Sequence, residues 1–274
     1  MNQNDVVYIA GHTGLAGSAI LRALAKEGYT NLIYRTHKEL DLTHQQQVNA
    51  FFAKEKPAYV FIAAAKVGGI LANHTYPAEF IYQNIAIATH IIDAAYRYGV
   101  KRLLFLGSAC SYPRDCPQPM QEDYLLTGPL EPTNEPYAIA KIAGIKMCEA
   151  YNKQYGTDFL AVIPTNLYGP NDTLDLTHSH VLPALMQKIH DAKLAKDSHI
   201  TLWGTGQPKR EFLYVDDMAS ACLFLMKKHG FNQMINISSQ QEVSIREAAE
   251  LLCEMIGFTG TILYDTSKPD GTPR

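Results

Sequence analysis

The chain has 274 residues, 47% of them hydrophobic, enough to bury one large core or one and a half ordinary ones. Its 24 Lys and Arg against 27 Asp and Glu leave a net charge of -3 with no long run of like charges, which argues against nucleic acid as a partner. The polar first residues lack a signal-peptide pattern, and no apolar run approaches the roughly 18 residues that cross a bilayer, so the expectation is a soluble, cytoplasmic protein with no membrane partner.

In chain order, apolar runs and helical periods predict a strand over 6–10, a helix over 15–27, a strand over 31–35 and a second helix. Further strands follow over 59–63, 102–106 and 159–163. Strands separated by helices imply right-handed βαβ units, hence an α/β, Rossmann-like, doubly wound parallel sheet with helices on both faces. Around and beyond Asn166 the rhythm loosens, and Pro164, Gly169, Pro170, Pro183, Gly204, Gly206 and Pro208 punctuate shorter elements. A smaller C-terminal α/β lobe is expected there, closing over the carboxyl ends of the strands where ligands sit. The expected division is a dinucleotide-binding domain of 1–165 with parts of 211–240, and a substrate-binding lobe of 166–210 and 241–274. A last strand over 261–264 runs into turn-rich sequence, which reads as a C-terminally incomplete lobe.

The five cysteines, Cys110, Cys116, Cys148, Cys222 and Cys253, show no zinc or disulfide spacing and read as reduced thiols, and no metal site is expected. The loop Gly11-His12-Thr13-Gly14-Leu15-Ala16-Gly17 follows the first strand and opens the first helix. Its glycines serve a tight turn, a close approach to pyrophosphate and close helix-to-strand packing, with the phosphates on the helix N-terminus. The residues after the second strand decide which dinucleotide is preferred, and Arg35, His37 and Lys38 there favour NADPH, the alternative being a solvated basic turn. Glu39 and Asp41 come late for the acid that marks an NAD site.

Tyr137 and Lys141 stand one helical turn apart, so the ammonium can stabilise phenolate and bring a phenol of ordinary pKa near 10 closer to working pH. Ser108, just past the 102–106 strand, can hydrogen-bond the same substrate oxygen. Cys110 leaves the same strand end and is a proton donor or acceptor if a cation lowers its pKa. His180, opening the next helical segment, is the complementary acid. Spacing alone leaves a packing role open for both Cys110 and His180.

At these residues the chain resembles the GDP-L-fucose synthase family of the extended short-chain dehydrogenase/reductase superfamily. The resemblance is carried by 11–14, by 63–70, by Pro132-Thr133-Asn134-Glu135-Pro136-Tyr137-Ala138-Ile139-Ala140-Lys141, by 164–170, by Arg210-Glu211-Phe212 with Val215-Asp216-Asp217, and by 268–274. It implies NADPH-dependent conversion of GDP-4-keto-6-deoxy-mannose to GDP-L-fucose, a 3,5-epimerisation followed by reduction of the 4-keto group. Cys110 and His180 would exchange the protons at C3 and C5, Tyr137 would protonate the C4 oxygen, Lys141 would support it, and Ser108 would orient the ketone. It extends the NADP(H) contacts to Asp41, Leu42, Leu106, Gly107, Ser108, Lys141, Pro164, Thr165, Asn166, Leu167 and His180. GDP-sugar contacts fall to Asn166, Lys188, Trp203, Arg210 and Asp270. The sequence departs from the family where Lys188, Thr13 and His37 stand at positions that are often arginine, which softens phosphate binding. A homodimer through helices near 80–96 and 138–151 is implied as well. The rival readings are another sugar-nucleotide epimerase or dehydratase of the superfamily, and a nucleotide-binding protein without catalysis.

Overall fold

The computed structural model describes residues 1–173, 181–228, 230, 232–268 and 270. The chain divides into two units, Met1–Asn171 with Leu213–Ile237, and Asp172–Phe212 with Ser238–Arg274.

The first unit begins β1 (Val7–Ala10), α1 (Leu15–Lys26), β2 (Leu32–Ile33), α2 (Gln45–Glu55), β3 (Tyr59–Ile62), α3 (Ile70–Thr75), α4 (Pro77–Arg97) and β4 (Arg102–Leu106). It continues with α5 (Glu135–Tyr155), β5 (Phe159–Pro164) and β6 (Asn166–Tyr168), and the elements that close it are α7 (Val215–Lys227) and β9 (Ile235–Ile237). Between these two groups lie α6 (Val181–Ala195), β7 (His199–Trp203) and β8 (Lys209–Tyr214). Six strands form one parallel sheet in the order β2-β1-β3-β4-β5-β9. The expected doubly wound α/β class is what the chain forms.

Period-two alternation explains why these strands are apolar throughout, as strands covered on both faces must be. Tyr8, Ala10, Val60, Ile62, Leu103 and Phe105 face one way and pack with Phe52 of α2, Ile92 of α4 and Ile145 of α5. Val7, Ile9, Tyr59, Phe61, Leu104 and Leu106 face the other way and pack with Ile20 of α1 and Met218 of α7. Strand order reverses between β1 and β3, which opens a ligand crevice at their carboxyl ends. β2 is shorter than the expected 31–35: it pairs with β1 over Leu32 and Ile33 alone, and the chain then bends into the turn that Glu39 closes on Thr36.

The second unit holds β7 parallel to β11 (Thr261–Asp265), and β8 antiparallel to β10 (Glu242–Ser244). α6 and α8 (Ile245–Ile256) cover β7 with Leu185, Ile189, Ala249 and Cys253 packed on Ile200 and Leu202. α8 starts from a capping box in which Ser244 and Glu247 satisfy each other's backbone N–H groups, a donor set that would otherwise be orphaned.

α5 approaches β4 tightly at Gly144, where an added Cβ would overlap the Phe105 ring. Gly144→Ala is expected to push α5 off β4 and to destabilise the protein by about 1–3 kcal/mol. Phe105→Leu in the same chain should recover part of that loss. Additive losses in urea unfolding of the double variant would show that the contact is not the cause.

Candidate active site

β4 delivers its chain to the carboxyl end of the sheet, where Gly107 N–H makes a last bond to the Val162 carbonyl at 2.7 Å. Ser108 is extended, and a single 3-10 turn, Ala109–Ser111, folds Cys110 back beside it. The Cys110 thiol donates to Ser108 Oγ at 3.2 Å. α5 begins at Glu135 with Pro136 in its first turn, a position where a missing N–H costs nothing. Its next turn presents Tyr137 and Lys141. Lys141 Nζ donates to the Leu106 carbonyl at 2.7 Å and lies 5.6 Å from the Tyr137 ring centroid and 5.0 Å from that of Phe105. The Tyr137 hydroxyl is hydrogen-bonded to Ser108. Four of the five expected catalytic residues therefore meet at one strand end, and the fifth, His180, lies outside the described residues.

Burial sets the protonation of this group. It pushes the Cys110 thiol up to about 11, against the opposing pull of the Ser108 hydrogen bond and the Lys141 charge. It raises the Tyr137 phenol well above its ordinary value, with the neighbouring Cys110 adding to the rise and Ser108 opposing it. Lys141 is pulled down to about 8 by loss of solvation. The expectation that a cation brings the phenol and the thiol towards neutrality is thus reversed here: desolvation outweighs the Lys141 charge at the thiol and dominates at the phenol. At neutral pH both acids hold their protons, and the lysine is still mostly protonated but lies about one pH unit from its midpoint.

A wall beside Tyr137 was not visible in the sequence reading. The Phe80 ring meets Tyr137 edge to face with centroids 6.3 Å apart, and buried Asn84, one turn further along α4, clamps the loop after β3. Its side chain accepts from Lys66 N–H at 2.9 Å and donates to the Lys66 carbonyl at 3.0 Å and the Phe80 carbonyl at 2.8 Å. The available signal was a lone asparagine within the apolar stripe of α4.

At the end of β1, Gly11 has φ +85°, and a Cβ there would lie 2.6 Å from the Ala64 backbone nitrogen. Gly17 has no such room either, since its Cβ would overlap the Gly11 carbonyl oxygen. Gly14 differs: its Cβ would find no protein atom nearer than 3.6 Å, so the space beside it is open. No side chain caps α1 at Gly14, which leaves its first-turn N–H groups directed at that space. An open cradle on an uncapped helix N-terminus fits a pyrophosphate. His12 stacks on Tyr34 with centroids 4.5 Å apart, and Thr13 is exposed.

Beyond β2, Arg35 is held by Glu55, whereas His37 and Lys38 are exposed. The Asp41 carboxylate accepts from Thr43, and the Leu42 carbonyl bonds His90 at 3.0 Å. Pro164 ends β5, and Thr165 N–H donates to the Ile237 carbonyl at 3.1 Å. Asn166 and Leu167 follow on β6. In the second unit Lys188 donates to the Thr201 carbonyl of β7. Trp203, at the end of that strand, is exposed beneath the Lys268 ammonium at 5.7 Å. Arg210 is on β8, its guanidinium bonded to the Lys209 carbonyl at 2.7 Å. Asp270 accepts from Thr205 N–H at 2.6 Å and from the Thr205 hydroxyl, so its carboxylate fixes the turn after Trp203.

Residues 7–238 match the model of the NAD dependent epimerase/dehydratase family. The chain is 58% identical over 274 residues to the putative GDP-L-fucose synthase 2 of Arabidopsis thaliana, covering 100% of this chain and 84% of the relative. It is 54% identical to the GDP-L-fucose synthase of Sinorhizobium fredii, covering 98% and 85%. Among solved structures it is similar to a GDP-L-fucose synthetase from Naegleria fowleri bound to NADP, with a TM-score of 0.90 and 31% identity over 100% of this chain and 85% of that one.

The depressed Lys141 has a definite sign in stability. Below about pH 8 both folded and unfolded chains carry this proton, and the folded state bears the full cost of a buried charge; that cost is relieved as pH rises from about 8 towards the ordinary lysine value. Lys141→Met removes the charge, so its stability relative to the parent should fall by roughly 2 kcal/mol between about pH 7 and about pH 9.5. Urea unfolding of both proteins at the two pH values reads this directly, and a difference independent of pH would contradict it.

Proposed function

The chain belongs to the NAD dependent epimerase/dehydratase family, and from that premise we propose that it converts GDP-4-keto-6-deoxy-mannose to GDP-L-fucose, by proton exchange at C3 and C5 and then reduction at C4. It is an NADP(H)-dependent oxidoreductase with epimerase activity, serving GDP-L-fucose biosynthesis. The observation that carries the two-step reading is the Cys110 thiol hydrogen-bonded to Ser108 beside Tyr137 and Lys141. Reduction alone needs no thiol at that place.

A ketone at C4 acidifies the protons on both adjacent carbons, so each can be removed to an enolate and returned from the opposite face. Cys110 and His180 are the proposed exchange pair. The thiol starts protonated, and Ser108 and Lys141 are the groups that ease its ionisation. Ser108 stabilises the enolate oxygen by hydrogen bonding. Bound NADPH supplies the hydride for C4. Tyr137 then gives its proton to the C4 oxygen, a role that suits a phenol held protonated at neutral pH. Lys141, fixed on the Leu106 carbonyl, holds positive charge beside the phenolate that forms.

The Gly11 to Gly17 loop is the proposed pyrophosphate cradle. In the second unit Lys188 and Arg210 are assigned to the diphosphate, Trp203 to the base or ribose and Asp270 to the GDP-sugar; Asn166 of the first unit is a further proposed GDP-sugar contact. No described helix is long and apolar enough to cross a membrane. A cytoplasmic homodimer is part of the same reading, supported by the exposed aromatic side chains Tyr82, Tyr96 and Tyr155 on α4 and α5.

Cys110→Ser is expected to abolish solvent-deuterium incorporation at C3 and C5, read by NMR of the sugar nucleotide in deuterated water, while NADPH binding stays within about twofold. Tyr137→Phe should retain exchange and lose reduction by about a hundredfold or more. Full exchange at both carbons in Cys110→Ser would remove the thiol from the mechanism.

A further inference from the structure

The turn after β2 is where the sheet places the far ribose of a dinucleotide, so the charges there choose between a 2'-hydroxyl and a 2'-phosphate. The two carboxylates of this turn and its arginine each have a visible engagement. The Glu39 carboxylate accepts from Thr36 N–H and from the Thr36 hydroxyl, both at 2.7 Å, and closes the turn 36–39. Asp41 accepts from Thr43 N–H at 2.9 Å and the Thr43 hydroxyl at 2.7 Å, with His37 at 3.9 Å and His44 at 3.5 Å. Both carboxylates are therefore engaged within their own turns, and neither is directed to a ribose hydroxyl.

The strongest cation of the turn is engaged as well. Arg35 reaches across to the last residue of α2, where it donates to Glu55 Oε1 at 2.7 Å, and it also donates to the Tyr34 carbonyl. Its guanidinium carbon lies 5.5 Å from the centroid of the Phe51 ring, and Phe51 is a core residue packed on Tyr8 of β1. Meeting a phosphate would require Arg35 to leave a part-buried carboxylate and an aromatic face together. His37 and Lys38 stand at the tip of the turn instead, His37 with its side chain 80% exposed.

We propose that Glu55, with Phe51, withdraws Arg35 from the dinucleotide, so that discrimination in favour of a 2'-phosphate is made by His37 and Lys38. This rests on the NADP(H) reading of the first unit. It makes Glu55, far from the glycine loop in sequence, a positioning residue for cofactor choice.

The test is direct titration of the purified 274-residue chain with NADPH and with NADH, followed by nicotinamide fluorescence, the ratio of the two dissociation constants being the readout. Lys38→Met is expected to lower the preference for NADPH about tenfold and His37→Ala several-fold, as lost charge-assisted contacts do, while Arg35→Met leaves the ratio within about twofold. Glu55→Gln frees Arg35 without deleting it and should leave the ratio at or above that of the parent, which keeps the test open if Arg35→Met fails to fold. A tenfold loss of preference in Arg35→Met, or a fall below the parent in Glu55→Gln, would overturn the assignment. Binding of neither dinucleotide by the parent chain would overturn the NADP(H) reading and this inference with it. Normal parental binding with an unchanged ratio in Lys38→Met would overturn the inference alone.

Discussion

An amine buried at the end of a strand is the constraint on which the rest of the site depends. Lys141 is almost fully buried, and its stable partner is the Leu106 carbonyl, a neutral dipole in place of a carboxylate. That contact forms only because α5 lies against β4, and α5 can lie there only because Gly144, one turn beyond Lys141, has no side chain to meet Phe105. The same approach aligns Tyr137 with Ser108 and so with Cys110. Closing the gap between helix and strand thus builds the proposed catalytic group and desolvates it in one move. Desolvation then decides the protonation: two weak acids keep their protons and one base is loosened from its own.

In the proposed reaction the C4 ketone must persist until the C3 and C5 protons have been exchanged, and the protonation of the site suits that order. A phenol that holds its proton is ready to donate as an alkoxide forms at C4, whereas a phenol near its midpoint would already be partly ionised and useless as a donor. The thiol begins in the same state, so its ionisation must be drawn out by the hydrogen bond from Ser108 and the field of Lys141. The lysine is the adjustable member, since its charge is held near neutrality. Lowering its affinity for a proton lets the surroundings set whether that charge is present.

How much of this the sequence disclosed depended on the range of the interaction. Strands β1, β3, β4 and β5 were readable because runs covered on both faces are apolar throughout, and the glycine loop because its backbone demands are local. Ser108, Cys110, Tyr137 and Lys141 could be placed from strand ends and helical spacing, and they do converge. The sign of the pKa shifts could not be read, since a cation one turn away is visible in sequence and burial is not. Glu55 and Asn84 were missed for a related reason: each acts through one side chain on a residue 20 or 18 positions distant, Arg35 and Lys66 respectively, with no motif to mark the pairing. The end of β2 lies earlier than its apolar run because the chain bends into a turn that Glu39 closes on Thr36, a side-chain contact with no periodic signal.

β4 shows how one element serves stability and chemistry without conflict. It begins at Arg102, which is 1% exposed, donates to the Lys228 carbonyl at 2.5 Å and pairs with Asp158 at 3.3 Å. It ends at the Leu106 carbonyl that holds Lys141. Both ends bury a cation, but the first lies beside a carboxylate and the second, among the described residues, is met by a carbonyl and two aromatic faces. Arg102, a guanidinium, keeps its charge and serves the sheet. Lys141, set against a dipole, leaves its charge available to the phenolate that the proposed reduction forms. The polarity of the strand, anchored where its chain enters and labile where it leaves, places reactive groups at the carboxyl edge, where the reversal of strand order between β1 and β3 opens the sheet to ligands.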